Sequence, residues 1–319
     1  YGKVLQVKLN DEKNNAGTDK VYAMKAIKRE AVSDGESKKR LILERLILTE
    51  ANHPFITSLE YAFHTSTKLY MVMEFVAGGD LFTHIHCVRG FREERILDHA
   101  SEMALGIEAL HSNRVIYRDL KPENVLLDHK GHIKLVDFGL SYRGEKGEDL
   151  RTDSFCGTEK YMAPEQLLNR VYGPAIDWWS FGIVLAEMVS GGKHPFLGRN
   201  RLETCRNMVK KKQTYVRRLR GAPPVSKELI SLMNGFLAKR DTDRLGYGEN
   251  GFLRIKKMPF FEEKDGSPLN WKDVEKCNRQ LTFTPDVSGA TDLKYFDDVF
   301  TDEQPVDSVV PGERNNNKG

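Results

Sequence analysis

Two short polar segments constrain this chain more than any other feature of its sequence. Residues 118–124 read Arg-Asp-Leu-Lys-Pro-Glu-Asn, and residues 137–139 read Asp-Phe-Gly. Together they place two carboxylates, a lysine and an asparagine in adjacent loops. Either segment alone could arise by chance, but both in this order indicate a site that acts on a polyanion.

The residue types in these loops suit phosphate chemistry. Asp137 and Asn124 supply the oxygen ligands that Mg²⁺ prefers, and Mg²⁺ can bridge phosphate oxygens. Asp119 has no metal-ligand partner beside it and suits accepting a proton from a hydroxyl group. Lys121 can neutralise charge on a phosphoryl group during its transfer.

The apolar pattern predicts two regions of different architecture. Strands are predicted at residues 4–9, 21–27, 56–63 and 68–75, with a hairpin-like connection at residues 10–20 and a helix at residues 37–50. After Gly78-Gly79 the chain becomes mostly helical, most clearly at residues 93–112 and 178–190. We therefore expect an α+β fold with two lobes, a small β-rich lobe and a larger helical lobe, followed by an extended tail.

With these positions assigned, the sequence resembles the protein kinases. Tyr22-Ala23-Met24-Lys25 matches the lysine-bearing strand of that family, and Glu44 in the following helix matches the lysine's ion-pair partner. Ala163-Pro164-Glu165 matches the end of the activation segment, and Asp177-Trp178-Trp179 matches the start of a large-lobe helix. Arg244 stands where it would pair with Glu165. The segment Lys121-Pro122-Glu123 resembles that of the serine/threonine branch of the family.

The resemblance implies in-line phosphoryl transfer from ATP with Mg²⁺ as the cation. It implies catalytic roles for Asp119, Lys121, Thr158, Lys25 and Glu44, and metal binding by Asn124 and Asp137. Adenine would lie between Val4, Ala23 and Leu126. The full set implied for nucleotide binding is Gly2, Val4, Ala23, Lys25, Met73, Glu74, Val76, Asp80, Glu123, Asn124, Leu126 and Asp137.

A finer resemblance is to the AGC group of protein kinases, and within it to the ribosomal S-six kinases, with the mitogen- and stress-activated kinases close behind. It rests on Tyr117 before Arg118, on Phe155-Cys156-Gly157-Thr158, and on Phe296-Asp297-Asp298-Val299-Phe300. By this resemblance Ser154 is the activating phosphorylation site, modified by an upstream kinase, and its phosphate would pair with Arg118.

The resemblance also implies the domain boundaries. We expect the small lobe at residues 1–75, without its first strand and the start of its glycine-rich loop, the large lobe at residues 76–261, and an AGC-type tail at residues 262–319. Because the chain begins at Tyr1-Gly2 without a methionine, we expect further residues upstream.

The net charge of +3 conceals two regions of opposite sign. Residues 285–319 contain eight acidic and three basic side chains, a net −5, so the remainder carries +8. Such a split predicts electrostatic docking of the tail on the body of the same chain first, and anionic partners second. The resemblance to the AGC group implies that the tail wraps back over both lobes, with Phe296 and Phe300 as anchors near the nucleotide.

The expected partners are proteins that carry basic residues upstream of a serine or threonine, selected by Asp80 and Glu123. The basic run at residues 210–220 offers one aromatic residue, Tyr215, so a solvated surface is favoured there over nucleic-acid binding. We expect a monomer.

The four cysteines show neither metal-ligand spacing nor a paired framework, and no apolar run is long enough for a membrane span. We expect a reducing compartment, the cytoplasm, with the nucleus as a second location.

Two other classes of function stay open at this level. The first is a catalytically silent kinase fold that serves as a scaffold or allosteric partner. The second, more distant, is a nucleic-acid-binding module. The presence of every charged residue that the chemistry needs favours an enzyme over both.

Overall fold

Four antiparallel strands at the start of the chain form one sheet in the order β1-β2-β4-β3. They are β1 (Lys3–Lys8), β2 (Val21–Lys28), β3 (Leu59–His64) and β4 (Lys68–Glu74). The computed structural model describes residues 2–9, 20–88, 90–212, 224–263, 265–289 and 292–296. Most of the predicted hairpin, all of the basic run after Lys212, Phe300 and the end of the tail lie outside these residues.

The helix α1 (Gly35–Glu50) packs with this sheet. Asp34 caps its start, accepting a hydrogen bond of 2.9 Å from the backbone N–H of Ser37. The predicted strand at residues 56–63 begins three residues late, because Ile56 forms a parallel bridge with Leu135 and Thr57 donates to the Leu135 carbonyl at 3.0 Å. Those residues join the small lobe to the large one.

The large lobe is helical around short strand pairs, as the sequence predicts. Its helices are α2 (Leu81–His86), α3 (Glu93–Ser112), α4 (Pro164–Leu167), α5 (Ala175–Ser190), α6 (Arg201–Lys210), α7 (Lys227–Phe236), α8 (Gly251–Lys256) and α9 (Trp271–Glu275). Its strands are β5 (Val115–Ile116), β6 (Val125–Leu127), β7 (Ile133–Leu135) and β8 (Tyr142–Arg143). Among the described segments, each helix is too short or too polar to cross a bilayer.

Helix α5 is the centre of the large-lobe core. Nearly every residue in it is buried, including Trp178 and Trp179, and it ends at Gly191 in the left-handed conformation. The predicted pairing of Arg244 with Glu165 is confirmed. The buried guanidinium donates to both carboxylate oxygens, at 2.6 and 2.9 Å, and so ties the end of the activation segment to this core.

The described part of the tail returns to the body through aromatic rings. Phe296 stacks on Phe75 at 5.8 Å, and Tyr295 contacts the ring of His84 at 4.7 Å. Gly79, with φ of +77°, permits this approach, because a Cβ there would lie 2.3 Å from the Cβ of Tyr295.

The prediction that acidic charge docks the tail is wrong for the acidic residues that the structure describes. Asp286 pairs with Lys294 at 2.5 Å, and Asp292 accepts from Ser288, so both close contacts within the tail. One ion pair does join the tail to the body, but there the tail supplies the positive charge. Arg279 of the tail donates to Asp98 of α3 at 3.0 Å.

Candidate active site

The carboxylate of Asp119 lies at the centre of the predicted catalytic residues. Lys121 donates to it from 2.7 Å, and Thr158 donates to it through both its hydroxyl (2.7 Å) and its backbone N–H (3.0 Å). The side-chain amide of Asn124 donates to it at 3.1 Å. The structure therefore brings three predicted residues from two separate segments to the buried carboxyl group of a fourth.

The loop that carries Asp119 is held by a residue whose role was not predicted. Asp177, fully buried at the start of α5, accepts the backbone N–H groups of Tyr117 (2.9 Å) and Arg118 (2.8 Å) and contacts the ring of His111 at 2.8 Å. Arg118 adopts φ of +70°, an uncommon conformation for a non-glycine residue. Asp177 fixes the backbone where this strained residue begins the loop.

Lys25 connects the small lobe to the Asp-Phe-Gly segment. Its ammonium lies 2.7 Å from Glu44 of α1 and 3.8 Å from Asp137. Burial raises the pKa of Glu44, an effect that the charge of Lys25 opposes. The predicted ion pair thus exists, and it orients the lysine toward the opening between the lobes.

Asn124 and Asp137 have the chemistry of Mg²⁺ ligands. The Nδ2 of Asn124 donates to the backbone and side-chain oxygens of Asp119, at 2.9 and 3.1 Å, which leaves its oxygen as the atom able to bind a cation. The side chain of Asp137 is about half exposed, with 53% of its surface accessible. In the described part of the chain no group of three or more His, Cys, Asp or Glu residues has metal-site geometry, so a cation here would take its remaining ligands from phosphate and water.

A cleft opens between the two lobes beside these residues. Its inner part has a volume of about 260 Å³ and its outer part about 470 Å³, and Val4, Lys25, Glu44 and Asp137 line both parts. Gly2 lines the outer part. The predicted adenine contacts Ala23, Met73, Glu74, Val76 and Leu126 line the inner part.

The sequence reasoning missed three residues of the inner cleft, namely Thr57, Phe75 and Val136, whereas Phe296, expected as an anchor near the nucleotide, does line it. Three predicted nucleotide contacts, Asp80, Glu123 and Asn124, line neither part of the cleft. Asp80 caps α2 by accepting from the N–H of Thr83 at 2.7 Å, and Glu123 lies on the opposite side of the catalytic loop, facing Lys160.

Ser154 lies within reach of the catalytic loop. Arg118 donates to the Ser154 hydroxyl at 2.5 Å and to the hydroxyl of Tyr172 at 3.3 Å. The guanidinium also binds the carbonyls of Leu140 and Ser141, at 2.6 and 3.1 Å. One arginine thus connects the activation segment, the catalytic loop and the segment after Asp-Phe-Gly.

A second acidic group lies beside Glu123, and sequence reasoning did not identify it. Glu187 of α5 accepts a hydrogen bond from the hydroxyl of Tyr161 at 2.9 Å. The pKa of Glu187 is raised to about 7, chiefly by burial and to a smaller extent by Glu123, while the hydrogen bond from Tyr161 and the charge of Lys160 oppose the shift. Because α5 has the sequence of a core helix, only the charge of Glu187 within an apolar run could have indicated a role.

Comparison with known proteins agrees with this geometry. A family model described as "Protein kinase domain" matches residues 1–261, and one described as "Protein kinase C terminal domain" matches residues 287–318. The chain is 40% identical over 313 residues to "Protein kinase 2" of Dictyostelium discoideum and 41% identical over 308 residues to "Ribosomal protein S6 kinase alpha-2" of Homo sapiens. It is 38% identical over 312 residues to "Serine/threonine-protein kinase Sgk1" of Xenopus tropicalis.

Each of these matches covers 97% of the chain. The chain spans 60% of the Dictyostelium relative, 40% of the human relative and 69% of the Xenopus relative.

Proposed function

The chain belongs to the protein kinase family, within its AGC group, and we propose that it transfers the terminal phosphoryl group of ATP to serine or threonine hydroxyls of proteins. The observation that carries this proposal is the Asp119 carboxylate, which is bound by Lys121, Thr158 and Asn124 beside the cleft that Lys25 and Asp137 line. Its relatives bear the names of serine/threonine kinases.

In the proposed reaction bound ATP and Mg²⁺ supply the transferable group and neutralise its charge. Lys25, oriented by Glu44, binds the phosphates, and Asn124 and Asp137 hold the cation. Asp119 orients the acceptor hydroxyl and takes its proton, while Lys121 offsets charge that develops on the phosphoryl group. Thr158 keeps the Asp119 carboxylate in place.

We propose that the acceptor site favours basic residues upstream of the serine or threonine. The support is the position of the two carboxylates: Glu123 lies in the catalytic loop, and Asp80 lies at the start of α2, where its backbone pairs with Leu126 just after that loop. Opposite charges attract a basic peptide segment toward such a surface and suppress acidic competitors.

Phosphorylation of Ser154 by an upstream kinase is the proposed activating step. A phosphate adds about −1.5 to −2 charge at pH 7 and three strong acceptor oxygens. Arg118 already donates to the Ser154 hydroxyl, so the phosphate would strengthen an existing contact between the activation segment and the catalytic loop.

We further propose that the protein acts as a monomer in the cytoplasm, with the nucleus as a second location. All the catalytic side chains come from one chain. All four cysteines are free thiols, as expected for a reducing compartment.

The test is transfer of labelled phosphate from ATP to a serine peptide with upstream arginines, measured on the full-length protein after Ser154 phosphorylation. We expect transfer, and we expect Asp119→Ala to abolish it while nucleotide binding persists. A wild-type protein that binds nucleotide but transfers nothing would favour the scaffold alternative.

A further inference from the structure

We propose that Lys160 is an internal competitor for the acidic acceptor subsite formed by Glu123 and Glu187. By occupying this subsite it weakens the selection for a basic residue upstream of the acceptor. This inference rests on the proposed kinase function and concerns the acceptor side of the same site. The subsite is defined here as the two carboxylates together with the ring of Tyr161.

The ammonium group of Lys160 lies in this subsite. It is 3.6 Å from Oε1 of Glu123, 4.8 Å from the ring centre of Tyr161 and 5.9 Å from the ring centre of Phe82. Tyr161 in turn donates to Glu187 at 2.9 Å. One carboxylate, two aromatic faces and a second carboxylate behind the tyrosine therefore surround a cation that the chain itself supplies.

The backbone of Lys160 is held by hydrogen bonds, which keeps the side chain rooted beside Glu123. Its carbonyl accepts a hydrogen bond of 2.7 Å from Nε2 of the buried His194. The N–H of Tyr161 donates to the Thr158 carbonyl at 2.8 Å, closing the 3₁₀ turn Glu159–Tyr161. A lysine anchored at both its peptide neighbours stays within reach of Glu123 at a high effective concentration.

The neighbouring acidic residue, Glu159, does not draw Lys160 away from Glu123. Glu159 binds Arg201 of α6, with Nε of the arginine 2.5 Å from Oε2 of the carboxylate. Its charge is thereby committed to α6, and Lys160 is left to pair with Glu123. In the sequence Glu159-Lys160, the acidic residue therefore pairs with α6 and the basic residue pairs with the catalytic loop.

A substrate arginine entering this subsite must displace or share the position of Lys160. Two cations at one carboxylate repel each other, which is a common means of reducing affinity for a partner. Lys160 faces Oε1 of Glu123 at 3.6 Å in a partly exposed pair, so an arginine can share that oxygen at a cost. Competition of this kind predicts a weak preference for arginine in the wild-type protein, not its rejection.

The test is a binding measurement that does not need catalysis. Fluorescent peptides carry alanine in place of the acceptor serine and a single arginine or glutamine at each of five upstream positions. Their affinities for the full-length protein give an arginine-to-glutamine ratio at each position. We compare wild type with Lys160→Gln, with Lys160→Gln/Glu123→Gln, and with Lys227→Gln, which removes the same charge from the exposed start of α7.

At the one position that this subsite reads, we expect a ratio below about threefold in wild type, as is typical of partly exposed ion pairs. In Lys160→Gln one position should gain at least about fivefold, because a competing cation is removed and a carboxylate is released. The double variant should lose that gain, and Lys227→Gln should match wild type.

A ratio that changes less than twofold in Lys160→Gln, or a gain that survives loss of Glu123, would overturn the proposal. The proposed kinase function fails separately, through absence of phosphate transfer to the serine peptide.

Discussion

Replacement of Asp177 by asparagine tests whether the catalytic loop is held from α5. The two Asp177 oxygens together accept three contacts, from the N–H groups of Tyr117 and Arg118 and from the ring of His111. Asparagine keeps the shape but offers one acceptor oxygen. In either orientation of the amide, at least one donor then faces an NH₂ group.

The expected cost follows from those contacts. A hydrogen bond to a charged group contributes about 1.5–3 kcal/mol, and a buried donor without a partner adds a penalty of about 1–3 kcal/mol. We therefore expect the free energy of unfolding to fall by about 2–4 kcal/mol. With an unfolding entropy of about 2.1 cal/mol/K per residue, that lowers the Tm of this 319-residue chain by roughly 3–6 °C. A shift of catalytic groups by about 1 Å can cost about 10²-fold in rate, so kcat should fall by about 10–100-fold.

The assay combines thermal unfolding, followed by circular dichroism, with kcat for the serine peptide. Asp149→Asn, at an exposed carboxylate, is the matched control and should leave both quantities unchanged. A Tm within 2 °C of wild type together with a kcat within threefold would refute the idea that Asp177 positions the loop.

Three further outcomes are expected. Ser154→Ala should remove activation by the upstream kinase, seen as an unchanged kcat after treatment that stimulates the wild type. Arg244→Met should lower the free energy of unfolding by about 3–5 kcal/mol in urea titrations, because it leaves the buried Glu165 charge unpaired, and Arg244→Met/Glu165→Gln should recover part of that loss. Because the pKa of Glu187 rises on folding from its ordinary value of about 4.5 to about 7, its protonation stabilises the native state most fully below about pH 4.5. That contribution of about 3 kcal/mol is lost as pH rises through 7, so stability curves of wild type and Glu187→Gln should diverge over this range.

Much of the fold could be predicted because the spacing of apolar residues and the residues that begin or end helices and strands are local signals. The interval 93–112 was predicted as a helix and forms α3 (Glu93–Ser112), and the helix predicted at 37–50 begins two residues earlier, at Gly35. Helix α5 starts at Ala175 instead of Trp178. The cap at Asp34 and the core burial of α5 account for these shifts at the helix starts.

The candidate site was predictable where its residues lie in adjacent loops, and not where distant elements meet. Asp119, Lys121 and Asn124 are close in sequence, so their spacing alone indicated the chemistry. Asp177 reaches Tyr117 across 60 residues, and Glu187 meets Tyr161 across 26. No local pattern reports such contacts, since they depend on how α5 packs under the catalytic loop.

The described part of the tail shows why net charge was a poor guide to the contacts that hold the tail on the body. An exposed ion pair contributes about 0–1 kcal/mol, because both groups lose solvation and side-chain freedom when they pair. Burying an aromatic ring removes roughly 150–250 Å² from water, at about 25 cal/mol per Å². Phe296 lies in the inner cleft against Phe75, while Asp286 pairs with Lys294 of the same segment. In the described part of the tail, the ring of Phe296 therefore reaches the cleft, while Asp286 and Asp292 make their contacts within the tail.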